Sequence, residues 1–312
     1  MLQVEHLCKG FGRFRLEDIS FKLPAGYIMG IIGENGSGKS TLLRCLLNIY
    51  KKDSGKVMIC KENNCCVGFG ENEYDLDKDE AGFKSEIAVV FEHSMYEEAM
   101  SGMDNARIVE SVNAAFEMEL FLKECEYWNI NPKKKLKTLS KGMNMKFQMA
   151  MAIAASPKLL ILDEPSANLD GESRKMFKKR LMDFVNDGTR SVLVSSHLTT
   201  DMEEIADYIL YIHKGRVLMN DDKESLLDRY LIVSGEDYKI QLLPKKIIVG
   251  LEKNRLSTTA LIEKSNIYKP DTALEVRRPR LEELMYYINH ENENRISCTG
   301  DWKKKGCGYN VV

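Results

Sequence analysis

The stretch Gly33-Glu34-Asn35-Gly36-Ser37-Gly38-Lys39-Ser40-Thr41 decides how the rest of the chain is read. It fits the phosphate-loop spacing G-x-x-x-x-G-K-[ST]. Before it, Tyr27-Ile28-Met29-Gly30-Ile31-Ile32 is an apolar run of the kind buried on both faces of a parallel sheet. After it, Leu42, Leu43, Leu46 and Leu47 recur at helical spacing. The glycines let successive backbone N–H groups point inward at phosphate oxygens, and the following helix adds its partially positive N-terminus. On this reading Lys39 reaches the β- and γ-phosphates, and the Ser40 hydroxyl ligates Mg²⁺.

Further segments follow in a fixed order. Leu139-Ser140-Lys141-Gly142-Met143 precedes a helical pattern from Asn144 to Ala155. Ser140 is suited to cap that helix, and Gly142 permits close approach of backbone to a phosphate. Leu159-Leu160-Ile161-Leu162-Asp163-Glu164 is an apolar strand ending in two acids. There Asp163 would hold Mg²⁺ through its surrounding shell, and Glu164 is placed to polarise an attacking water as general base. Ser166-Ala167-Asn168-Leu169-Asp170 comes next, then the short buried strand Val192-Leu193-Val194-Ser195-Ser196-His197, which delivers a histidine to its C-terminal end.

The series resembles the ATP-binding cassette (ABC) ATPases, the nucleotide-binding subunits that drive ABC transporters, over roughly residues 1–222. The resemblance implies a P-loop α/β cassette with a mixed sheet core, an antiparallel β layer and a helical subdomain at about 95–140. It makes Gly33 to Thr41 the Walker A loop, Ser140 and Gly142 the γ-phosphate contacts of the signature, and Asp163 and Glu164 the Walker B pair. Ser166 to Asp170 becomes the D-loop, His197 the switch histidine, and Phe11 the aromatic that stacks on adenine, with Phe14 as competitor. It also implies ATP and Mg²⁺ as ligands, a second ATP-binding subunit (a copy or a paralogue), and a transmembrane permease at whose cytoplasmic face the chain works. A soluble ABC-type ATPase, such as an iron–sulfur assembly subunit, stays open as the alternative.

Three departures from the family pattern stand out. The signature reads Leu-Ser-Lys-Gly-Met where Leu-Ser-Gly-Gly-Gln is commonest. After the strand Ile87-Ala88-Val89-Val90-Phe91 a glutamine is expected, and this chain has Glu92, whose oxygens still suit Mg²⁺ but add negative charge beside a triphosphate. Glu71 to Glu80 reads as an acidic, irregular, solvated loop. The signature, the run from Glu92 to Asn105, and Arg278-Pro279-Arg280-Leu281-Glu282-Glu283-Leu284 are similar to bacitracin- and lantibiotic-type exporters, which implies export of a drug, antimicrobial peptide or similar amphiphile.

Composition sets limits on the rest. At 312 residues and 44% hydrophobic content the chain is long enough for a large core and an appendage. A net charge of −2 gives no bulk basic field for nucleic acid. No apolar run approaches the ~18 residues of a membrane span. The opening Leu2-Gln3-Val4-Glu5-His6-Leu7 reads as a strand, not a signal peptide. The 8 cysteines are dispersed as free thiols; Cys60, Cys65 and Cys66 cluster without a second pair at zinc spacing. No Asn-Lys-x-Asp segment reads guanine. Ile108, Val112, Ala115, Phe116, Leu120 and Leu122 are expected to supply the apolar faces of the helical subdomain. Beyond Asp222, a small α/β appendage is expected over 223–290 and a mobile tail over 291–312.

Overall fold

A computed structural model describes residues 1–60, 73–167, 169–254, 257–264 and 274–298. The chain divides into two units, Met1–Lys223 and Glu224–Val312. The first opens with β1 (Leu2–Phe11), β2 (Phe14–Leu23), β3 (Ile28–Ile32), α1 (Lys39–Leu46) and β4 (Ser54–Cys60). It continues through β5 (Glu73–Asp75), α2 (Glu80–Ser85), β6 (Ile87–Val90), α3 (Gly102–Val112), α4 (Met118–Tyr127) and α5 (Lys141–Ala154). β7 (Leu159–Asp163), α6 (Gly171–Val185), β8 (Ser191–Ser196), α7 (Thr199–Ile205), β9 (Tyr208–His213) and β10 (Arg216–Asp222) follow.

Two sheets organise this unit. β3, β7 and β8 are buried at every position, so they form the interior of a six-stranded sheet ordered β10-β9-β3-β8-β7-β6. Its pairings are parallel except for the β9–β10 hairpin. β1, β2, β4 and β5 form an antiparallel layer ordered β2-β1-β4-β5, in which β1 and β2 mix buried and exposed positions and β4 ends in four buried ones. One core joins the layers: Leu7, Leu16 and Ile19 pack with Ile31, Leu42, Leu43 and Leu46. The acidic stretch read as an irregular loop is corrected here: Glu73–Asp75 pairs with β4, because Tyr74 and Leu76 are drawn onto the core.

The helical part differs from the expected packing in one respect. Phe116 is buried, but Ile108 is 49% and Val112 81% exposed, so their apolar face points outward. What fastens α4 to α6 is ionic instead. Arg180 donates from Nε to both Glu124 oxygens at 3.1 Å and from Nη2 to Oε1 at 2.5 Å, with the Glu124 side chain only 6% exposed. The Tyr127 hydroxyl adds a hydrogen bond to the Met176 carbonyl. Cys8, Cys45, Cys60 and Cys125 are free, and burial pushes the Cys45 thiol up to about 11 and Cys125 up to about 12. Cys65 and Cys66 lie outside the described residues.

The second unit holds α8 (Lys223–Asp228, beginning on the last residue of the first), β11 (Tyr230–Gly235), α9 (Asp237–Gln241), β12 (Ile248–Lys253), β13 (Thr258–Glu263), β14 (Glu275–Arg277) and α10 (Leu281–Cys298). Its antiparallel sheet runs β12-β13-β11-β14, with Val233, Ile240, Ala260 and Ile262 at the centre. α10 carries regular structure past His290, where the sequence suggests a tail; residues 299–312 lie outside the described set. Arg277 grips Glu283 and holds its carboxyl down at about 2. That pair therefore stabilises the unit above the ordinary carboxylate range, and its contribution is lost as pH falls toward 2.

Removing Glu124 tests the α4–α6 fastening. Glu124→Ala leaves the mostly buried Arg180 guanidinium without its counter-charge, and about 3 kcal/mol of stability is expected to be lost. Chemical denaturation checks this; an unchanged midpoint would mean that solvent replaces the carboxylate at little cost.

Candidate active site

β3, β8 and β7 are neighbours and parallel, so their carboxyl ends open at the same edge of the sheet. In α/β sheets that edge is where ligands are held. Register then fixes who meets whom: Ile32 lies opposite Ser196, and Asp163 opposite Ser195. The loop from Gly33 to Gly38 leaves β3, the acids leave β7, and Ser195 with His197 leave β8.

The loop is wrapped around a charge. Lys39, in the first turn of α1, is only 5% exposed. Its Nζ donates to the Gly33 carbonyl at 2.8 Å and the Glu34 carbonyl at 3.3 Å, and lies 3.4 Å from Glu164 Oε1. Gly38 caps α1 at φ 117° with no side-chain hydrogen bond, which leaves the helix's N–H groups without a side-chain acceptor. A Cβ on Gly38 would sit 2.7 Å from Leu16 Cδ2 and 2.9 Å from Phe14 Cζ; one on Gly33 would meet the Ile212 carbonyl oxygen at 2.3 Å. Ser37 is buried, and its hydroxyl has no partner. Glu34, Asn35 and Gly36 form the exposed crest, while Ser40 and Thr41 are half-buried in α1. An orphaned hydroxyl, a helix terminus and a buried ammonium around one hollow loop fit a polyphosphate.

The acids are ordered by hydroxyls. Ser40 Oγ donates to Asp163 Oδ1 at 3.1 Å, and Ser195 Oγ donates to the same oxygen at 2.7 Å. Ser195 Oγ also accepts from the Glu164 N–H at 3.1 Å. Glu164 sits at φ 50°, a left-handed conformation that non-glycine residues rarely adopt, and this turns its carboxylate back over the site. There Oε1 faces Lys39, while Oε2 lies 2.7 Å from His197 Nδ1 and accepts from the His197 N–H at 3.2 Å. The Ser40 and Asp163 oxygens form a hard donor set of the type Mg²⁺ takes.

Ser195 is the member that the sequence reading did not single out. Its only signal was a hydroxyl on a buried strand, two residues before the histidine. Five expected residues stand apart from this cluster. Glu92 is exposed just beyond β6, although Val90 opposite Leu162 puts it at the same sheet edge. Ser140 is exposed and caps α5, accepting from the Met143 N–H, with Gly142 half-buried in the first turn. Asp170 caps α6, and the Ser173 N–H holds its carboxyl below the usual range. Phe11 is 40% exposed, edge-on to Tyr50 with Lys9 over its ring, whereas Phe14 is half-buried in the core. Asn168 lies outside the described residues.

This arrangement has known counterparts. The family described as ABC transporter matches residues 16–167. An uncharacterised ABC transporter ATP-binding protein of Bacillus subtilis is 30% identical over 220 residues, covering 70% of this chain and 68% of that protein. The chain belongs to the ABC transporter ATP-binding proteins. The lantibiotic transport ATP-binding protein SrtF of Streptococcus pyogenes is 28% identical, covering 71% of this chain and 91% of that protein. A phosphate import ATP-binding protein of Vibrio vulnificus is 28% identical over 76% and 89%. A solved ATP-binding subunit of an ABC transporter shares the fold, with TM-score 0.63 and 22% identity over 73% of this chain and 92% of that one. The cassette is thus an ATP-binding, ATP-hydrolysing protein of a family whose members dimerise and pair with transmembrane subunits.

Ser195→Ala removes the hydroxyl shared by Asp163 and Glu164. It is expected to lower ATP turnover and to cost about 1 kcal/mol of stability. Phosphate release and a denaturation midpoint, measured together, check it; unchanged turnover would make Ser195 a core hydroxyl only.

Proposed function

We propose that this cassette powers a membrane exporter of a drug, antimicrobial peptide or similar amphiphile, working as a dimer on the cytoplasmic face of a permease. The observation that carries the chemistry is Glu164, whose two oxygens bridge the buried Lys39 ammonium and His197. When phosphate oxygens arrive, Lys39 exchanges its carbonyl partners for them, and Glu164 is freed to accept the proton of the attacking water. His197 keeps the carboxylate aimed. Ser40, Asp163 and, from the sheet edge, Glu92 would hold Mg²⁺, which supplies neutralisation of the phosphate charge. Phe11 offers the open aromatic face for adenine.

The place of Ser140 and Gly142 supports a dimer. They stand at the exposed N-terminus of α5 with no hydrogen bond to the Lys39 loop, so a second cassette would bring its own Ser140 and Asp170 over the nucleotide. For the permease, a cavity of about 350 Å³ opens beside β6, lined by Phe91, Met95, Tyr96, Ile108 and Val109, with buried Gln148 at its wall. Met95 is 75% exposed there. A largely apolar groove with two buried amides, Asn105 and Gln148, suits a short cytoplasmic segment of a membrane subunit. Among the described residues no helix is long and apolar enough to cross a membrane, so attachment would be peripheral. Export is supported by the signature, and a lantibiotic as cargo class by the likeness to the lantibiotic transport protein.

Glu164→Gln is expected to keep ATP binding, slow hydrolysis by at least ~100-fold and trap an ATP-dependent dimer in size exclusion; wild-type turnover would remove Glu164 from the reaction. Mixing Lys39→Ala with Ser140→Arg chains should restore activity in part of the heterodimers. No gain over either variant alone, with heterodimers shown to form, would count against the shared site.

A further inference from the structure

A charged cluster on α6 lies beside the strand ends without joining them. Arg174 and Lys178, one turn apart on α6, both face Asp201 in the first turn of α7. The Asp201 side chain is only 4% exposed. Lys178 Nζ lies 2.8 Å from Asp201 Oδ1 and 2.8 Å from Glu204 Oε2. Arg174 divides its guanidinium: Nη2 donates to the Ser166 carbonyl at 3.3 Å, and Nε faces Asp201 Oδ2 at 3.7 Å. The Ser166 carbonyl also accepts from the Leu169 N–H at 3.2 Å, and the Ala167 N–H reaches back to the Glu164 carbonyl at 3.4 Å. Ser166 is therefore where the turn leaving β7 is pinned, two residues after Glu164. Asp201 lies four residues after His197.

We propose that Arg174 is a positioning residue for hydrolysis. Its guanidinium hydrogen-bonds the turn that carries Glu164 through Nη2 and faces Asp201, on the helix that follows His197, as an ion pair in which neither Nε nor Oδ2 has a hydrogen-bond partner. This rests on the reading of Glu164 and His197 as the hydrolytic pair. Arg174 touches neither of them, so its effect passes through backbone placement, and small displacements of a general base are costly to turnover. Its removal leaves Asp201 still paired with Lys178, and Arg174 itself is one-third exposed, so the fold does not depend on it. A lysine at the position could satisfy Ser166 or Asp201, not both.

The test uses the full-length chain. Arg174→Ala is expected to lower kcat about 10-fold or more with KM for Mg·ATP within about twofold, and Arg174→Lys to recover part of the loss. Combined with His197→Ala it should add no further loss, because both act on one arrangement. The chain has 5 histidines, so the His197 ring signals can be assigned in ¹⁵N spectra through His197→Ala. They should move in Arg174→Ala and move less in Arg174→Lys. A damaging His197→Ala beside a silent Arg174→Ala, losses that multiply, or unmoved His197 signals would each overturn the positioning role. Wild-type turnover in His197→Ala would instead overturn the hydrolytic pair.

Discussion

A buried ammonium governs the architecture of this cassette. Lys39 is withdrawn from water inside a loop of its own backbone, and burying a cation is tolerable only where its charge is met. Two carbonyls of the loop and one oxygen of Glu164 meet it. That requirement fixes the loop's curvature, the left-handed turn at Glu164 and the adjacency of β3, β8 and β7. In the proposed reading the same requirement is the switch: a triphosphate offers Lys39 a stronger counter-charge than Glu164 does, and so releases the carboxylate for chemistry.

Around this centre the fold uses helix ends economically. Gly38 leaves the start of α1 without a side-chain acceptor, whereas Ser140 and Asp170 satisfy the starts of α5 and α6 with their own side chains. The first terminus faces the loop that holds Lys39. The other two belong to segments that a second cassette would have to present. α6 connects these regions, through Arg174 to the turn after β7 and through Arg180 to α4. A hydrogen bond and an ion pair on one helix thus link the hydrolytic edge to the helical layer that bears Ser140.

Much of this was legible in the residues. The Walker A loop, the apolar strands and the two acids lie in contiguous runs whose spacing is itself the physical requirement, and the structure assembles them on one sheet edge. What escaped was set by register and tertiary packing. Ser195 matters because Asp163 lies opposite it, a pairing that no local pattern encodes. Glu73–Asp75 looked like a solvated loop because its charges outweigh the single Tyr74 that anchors it. Ile108 and Val112 keep helical apolar spacing but face outward, since periodicity identifies a face and not what covers it. The cap that Asp170 gives α6 likewise appears only once the helix start is placed.

The central claim, that Lys39, Ser40, Asp163 and Glu164 are one Mg·ATP site, is tested most directly by diffraction from the full chain with Mn²⁺ and a non-hydrolysable ATP analogue. The anomalous peak is expected within coordination distance of Ser40 Oγ and beside Asp163, with Lys39 Nζ moved from the Gly33 and Glu34 carbonyls onto phosphate oxygen. A metal peak away from Ser40, or Lys39 still held by those carbonyls with the nucleotide bound, would contradict it.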